Sequence, residues 1–482
     1  MTGCGPSDSY DKSFSETRDK DPNTVYVIMV MESRRSPSLA SQLMAISLPI
    51  MASNLLQTLY NMVDAYFLGK LGKEAISAPS ITMNISNFII VFGAAFSIAG
   101  TTMISQAYGG DKKNRDRLDF LASQVFGVNV FMSLIVLVLG LVLAGPLLRL
   151  MQVPEGLTYT YTLQYMTITF LAMPFFFGDM ILRGTLQGVG DSMTPLYVQV
   201  TAVLLNVVLD PILIFGWGPI PAMEVAGAAW ATLIARAVSC TVSFIILFSG
   251  VKGVQVRIKQ LTPDHKTYRL MARIGLPASI GQSLSSLGFA VIQGVVNSFG
   301  PAVIAAFGVG NRVQSLFNMP AQGISQGVGI LVGKKLGERN PDEAEKVTNQ
   351  GLLIIGVFIS IGMGLVLFFG KYVVQFFVND AEVVAYGVEM FRYTTLSVIF
   401  FAMYTVVCGS FQGGGMTRPV MTMNLVRLWV LRVPLSYLLP LAFGLDQRGI
   451  WIAMMTSNMI VSFWSFILFK KGAWKVTIDF DS

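Results

Sequence analysis

The chain has 482 residues, 53% of them hydrophobic and 13% charged, with a formal net charge of +7 and a mean hydropathy of +0.61. That balance excludes an ordinary soluble domain and places the chain among polytopic membrane proteins. One histidine and three cysteines exclude a disulfide framework, a zinc spacing and histidine-based metal catalysis.

Residues 1–38 are polar and mixed in charge and read as a disordered cytoplasmic extension. The short apolar patch TVYVIMVM (24–31) follows an acidic region and precedes no small-residue cleavage site, which argues against a signal peptide. A start at Met29 or Met31 is an alternative reading of this stretch. From Leu39 onward, apolar windows of roughly 20 residues, enough to span a bilayer as a helix, recur along the chain. Twelve spans are expected, at 39–66, 75–107, 118–145, 158–180, 194–216, 225–250, 273–298, 302–333, 347–370, 385–408, 419–441 and 449–469. The alternating strands of a membrane β-barrel are absent from the pattern. A cytoplasmic linker (251–272) and a cytoplasmic tail (470–482) complete the expected division.

With the N-terminus inside, the inner loops carry nineteen Lys and Arg and the outer loops five. The positive-inside rule then puts both ends in the cytoplasm. The same asymmetry accounts for the basic net charge without a nucleic-acid partner.

The two halves resemble each other. LPIM (48–51) pairs with LPAS (276–279), RGTLQGVGDSMTP (183–195) with GSFQGGGMTRP (409–419), Pro211 with Pro434, and Gly227 with Gly449. Six spans per copy give both copies the same orientation, so the fold class is all-α: two parallel six-helix repeats, 39–250 and 273–469. Two bundles around a shared midplane cavity suit alternating access.

Two acids lie deep in apolar spans, where a lipid-facing carboxylate costs roughly 2.5–3.5 kcal/mol or more. Asp64 ends a polar stripe with Gln57 and Asn61, spaced by four and three. Asp210 follows Asn206 by four, on one helix face, and precedes Pro211. Local offsets place Ile292 and Val433 at the matching positions of the second half, so the acids belong to the first bundle alone. Two carboxylates, an amide and a hydroxyl could coordinate Na⁺, exchange protons, or make static hydrogen bonds between helices. Asp179 and Asp191 read as boundary residues near the cytoplasmic end, Glu389 and Arg392 as a local pair. Arg427 and Arg432 sit near the middle of their span without an evident partner.

Residues 39–470 resemble the multidrug and toxic compound extrusion family, closest to its DNA-damage-inducible-F-like branch. The resemblance rests on LPIMASNLLQTLYNMVDAYFLGKLG (48–72), ISQAYGGDKKNR (104–115), the 183–195 and 409–419 motifs, NVVLDPILIFGWGPIPAMEVAGAAWAT (206–232) and GNRVQSLFNMPAQG (310–323). It implies a V-shaped pair of lobes and export of amphipathic, often cationic small molecules in exchange for Na⁺ or H⁺. It implies no other cofactor. It carries a coupling role to Asp64, Asn206, Asp210 and Thr232, a Na⁺ site to the first three, and a cavity-facing position to Gln57, with Asn61 beside it. The expected protein is a monomer in the inner (plasma) membrane, in contact with the lipid bilayer. Rival readings are a lipid-linked oligosaccharide flippase, whose cavity would be cationic, and an intramembrane enzyme, for which no catalytic cluster is visible.

Overall fold

The computed structural model describes residues 38–110, 115–153 and 155–480. The expected N-terminal extension, apart from Ser38, and the loop lysines Lys112 and Lys113 lie outside these. The chain divides into two units, Met1–Gln42 and Leu43–Ser482. In the first, only the opening of a helix is described, where Ser38 Oγ accepts the amide of Ser41 at 3.2 Å. Among the described residues twelve long helices follow in order: α1 (Leu39–Gly69), α2 (Lys73–Gly110), α3 (Arg115–Leu150), α4 (Leu157–Gly188), α5 (Met193–Phe215), α6 (Glu224–Ser249), α7 (His265–Asn297), α8 (Pro301–Gly337), α9 (Pro341–Phe377), α10 (Ala381–Gly413), α11 (Thr417–Phe443) and α12 (Asp446–Lys470). No strand occurs among the described residues.

Local chemistry sets several helix starts. Asp264, Asn340 and Asp380 accept first-turn amides of α7, α9 and α10 with their side chains, which satisfies donors that a helix leaves open. The Asp264 cap starts α7 eight residues before the expected span at 273, so the linker shortens to 250–264. Lys266, Arg269 and Arg273 hide that first stretch from a hydropathy reading. The linker itself packs on α3. Asp119 accepts the Gln255 amide at 2.7 Å, and Gln124 donates to the carbonyls of Gln260 and Thr262 at 2.7 and 2.9 Å.

Ten of the twelve helices are long and apolar enough to cross a membrane. The exceptions, α2 and α8, are rich in Gly, Ser, Thr, Asn and Gln, and they pack against each other. Their composition follows from facing protein instead of lipid. Packing repeats across the halves: α2–α4, α3–α4, α4–α6 and α5–α6 in the first are matched by α8–α10, α9–α10, α10–α12 and α11–α12 in the second.

The halves meet through α2 against α7 and α8. A side chain at Gly109 would collide with the Lys334 carbonyl, and one at Gly337 with that of Gln106. At this end, which also carries the described C-terminal residues, Gln106 donates to the Gly413 carbonyl at 2.8 Å and accepts the Ile478 amide at 2.7 Å. Thr102 bonds to the Gln412 carbonyl at 3.0 Å and Thr477 to that of Leu336 at 3.2 Å. The tail is therefore a packed element: Trp474 is fully buried and stacked on Phe469 at 5.1 Å, and Lys475 pairs with Glu345 at 2.8 Å.

Candidate functional site

The first half buries an acid cluster drawn from four helices. On α1 the inward face carries Ser53, Tyr60, Asp64 and Leu68, at helical spacing. Asp64 therefore shares its face with Tyr60. Asn61 is exposed and accepts a hydrogen bond from Gln57 at 3.4 Å. From α4, the Tyr165 hydroxyl donates to Asp64 Oδ2 at 3.1 Å. On α5, one turn apart, Asn206 Nδ2 donates to Asp210 Oδ1 at 3.1 Å, and both residues are fully buried. On α6, Thr232 accepts a hydrogen bond from Tyr60 at 2.6 Å.

Hydrogen bonds thus tie Asp64 to Tyr165 and Thr232 to Tyr60, two tyrosines the sequence reading did not name, while Asn206 and Asp210 bond each other. Asp64 Oδ1, Asn206 Oδ1 and Asp210 Oδ2 are buried with no hydrogen-bond partner. A buried polar atom left unpaired costs about 1–3 kcal/mol, and more when charged. Carboxylate and amide oxygens of this kind are the ligand chemistry that hard cations take. Among the described residues no group of three or more His, Cys, Asp or Glu side chains could hold a metal ion, so a site here would rest on the amide as well as the acids.

Beside this cluster lies a second one. Asp179, expected near the cytoplasmic boundary, is 5% exposed, paired with Arg236 at 3.4 Å, and accepts a hydrogen bond from Ser239 at 2.7 Å. Arg236 also donates to Gln57 Oε1 at 3.1 Å, and its guanidinium stands 5.5 Å from the centroid of the Tyr60 ring. Gln57 is therefore held by Arg236. The missed signal was Arg236 itself, a cation inside the apolar 225–250 span that needs a partner acid.

The second half differs. Ile292 is buried in an apolar cluster with Phe307, Met390 and Trp451, and Val433 packs against it. The buried charges there are Arg427 and Arg432, carried by a π-helical stretch of α11, Val426–Arg432. Both reach Asn458 Oδ1, at 3.4 and 2.5 Å, and Arg432 adds Ser457 at 3.0 Å. Arg427 also lies 4.7 Å from the Phe401 ring centroid. Glu389 pairs with Arg448 at 2.5 Å; no ion pair joins it to Arg392 among the described residues.

The MatE family model matches twice, at residues 49–212 and 277–438. The two matches fall on the two repeats, and each begins at the proline of an LP pair. The chain is 26% identical over 453 residues to the probable multidrug resistance protein YoeA of Bacillus subtilis, covering 92% of this chain and 97% of that protein. It is 27% identical over 440 residues to the probable multidrug resistance protein NorM of Thermotoga maritima, covering 91% and 94%. A solved structure described as MATE in the bent conformation superposes with a TM-score of 0.84 at 22% identity, covering 91% of this chain and 96% of that one.

Proposed function

Because this chain belongs to the MatE family, we propose that it is a membrane transporter that exports amphipathic, often cationic compounds in exchange for Na⁺ or H⁺. The observation that carries the coupling site is the set of unpaired buried oxygens on Asp64, Asn206 and Asp210. In a dry interior two neighbouring carboxylates cannot both stay charged and unpaired without a large penalty. A proton or Na⁺ removes the penalty, and the residues of α1 and α5 then have reason to hold together. The relatives' names as multidrug resistance proteins support the substrate class.

Coupling requires that ion and substrate bind the two access states with different affinity. In this reading the first half supplies that difference, since the matching second-half positions are apolar. Tyr165 reports the state of Asp64 to α4, and Tyr60 ties α1 to α6. The excess of loop cations on one side supports a cytoplasmic placement of the basic end, with both termini on that side of the plasma membrane. The flippase alternative needs cations lining an open cavity. Arg427 and Arg432, the cations deep in the second half, are instead buried and engaged with Asn458, and the unpaired acid oxygens of the first half favour transport of cationic compounds.

Dye efflux from proteoliposomes, with sodium and proton gradients imposed separately, tests the reading. Efflux should follow one gradient in the wild type and be lost in Asp64→Asn and Asp210→Asn proteins that remain folded. Undiminished gradient-driven efflux in the Asp64→Asn, Asp210→Asn double variant sinks the assignment.

A further inference from the structure

A cavity of about 1390 Å³ opens at the basic end, away from the acid cluster. None of Asp64, Asn206 or Asp210 lines it. Its walls come from the starts of α3, α7 and α11 and from residues 476–480, so both repeats and the tail contribute. Five cationic side chains line it, Arg117, Lys266, Arg269, Arg273 and Arg418, against a single acid, Asp479. That excess repels the cationic compounds proposed as transport substrates and attracts an anion.

The order of residues along the walls says more than the charge. On α7, Arg269, Arg273, Leu276 and Ile280 follow at intervals of four, three and four, which places them on one face. All four are exposed, Leu276 by 38% and Ile280 by 44%. The face thus runs from guanidinium to hydrocarbon over about three turns. The neighbouring α11 repeats the order, with Arg418 at its start and Met421 one turn deeper. Thr417 bonds to the Ile274 carbonyl at 2.5 Å and fixes the two helices side by side.

We propose that this cavity binds an anionic phospholipid, with its phosphate among Arg269, Arg273 and Arg418 and its acyl chains along Leu276, Ile280 and Met421. A free phosphate would use the cations and leave the apolar half of each wall without purpose. A zwitterionic lipid would fit the apolar half and gain less from the charge excess. Because the walls belong to both repeats, a lipid here binds best while the basic end stays closed, and it biases the protein toward that state. The site stands independently of the coupling-ion reading, since it shares no residue with the acid cluster.

The test is retention of added lipid by the full chain in detergent, followed by native mass spectrometry. The probes are phosphatidylglycerol, phosphatidylcholine and inorganic phosphate. The wild type should hold phosphatidylglycerol over phosphatidylcholine, and inorganic phosphate should not displace it. The Arg269→Gln, Arg273→Gln, Arg418→Gln triple variant should lose roughly a hundredfold in apparent affinity for phosphatidylglycerol, about fivefold per charge removed. A single Arg269→Gln variant, folded by the same thermal criterion as the wild type, should show an intermediate loss. Equal retention of the two lipids by the wild type, or undiminished phosphatidylglycerol binding in the variants, overturns the proposal. Displacement of the lipid by inorganic phosphate would also overturn it, in favour of a soluble anion.

Discussion

Arg236 and Asp179 form an ion pair with side chains 10% and 6% exposed. Removing one partner leaves a buried charge alone, which costs about 3–5 kcal/mol. Arg236→Met and Asp179→Leu should each destabilise the protein by that amount in detergent unfolding, and the double variant by clearly less than their sum. Strict additivity would mean that the pair is not coupled. At this scale the sequence was half legible. The deep acids stood out because a carboxylate is so unfavourable in an apolar span, and Asn206 followed from the four-residue spacing. Tyr60 and Tyr165 did not stand out, because a tyrosine is at home in a membrane helix until its hydroxyl needs a partner. The ion pair of Asp179 was missed for a different reason. Its position near the end of an apolar run suggested a boundary, and only a demand for a counter-ion to Arg236 would have found its partner.

At the scale of elements, the helices were legible nearly throughout, since apolar runs and proline or glycine breaks define them. Less legible were the segments held by specific polar contacts, such as the first turns of α7 and the tail after α12. Glu345 receives Lys475 and Lys470, and this contact, Lys475 first, holds its carboxyl below the ordinary glutamate value. A depressed carboxyl stabilises the folded state above its unfolded pKa, near 4.3, and that stabilisation is lost as pH falls through the folded value. Hydrogen exchange in residues 472–480 should therefore rise, relative to the intrinsic rate, as pH drops below about 4, and added salt should weaken the protection above that range. Glu345→Gln should exchange faster at neutral pH and lose this acid step. An unchanged step in that variant would assign it to another group.

At the scale of the whole molecule, the duplication was readable from ordered motif pairs, and the family model falls on the same two stretches. Sequence could not say which helices join the halves. That depends on close approach at Gly109 and Gly337, and a glycine in a membrane helix carries no address for its partner. The repeats share packing and differ in charge: unpaired acid oxygens in the first, arginines engaged with Asn458 in the second. This asymmetry is the reason for placing ion coupling in one half. The most direct measurement is ion movement itself, read as sodium or proton flux in proteoliposomes when a transported dye is added on one side. The wild type should move one of these ions against the dye, and both Asp64→Asn and Asp210→Asn should abolish that dye-evoked flux while remaining folded. Dye-evoked ion flux of wild-type size in either variant would contradict the account.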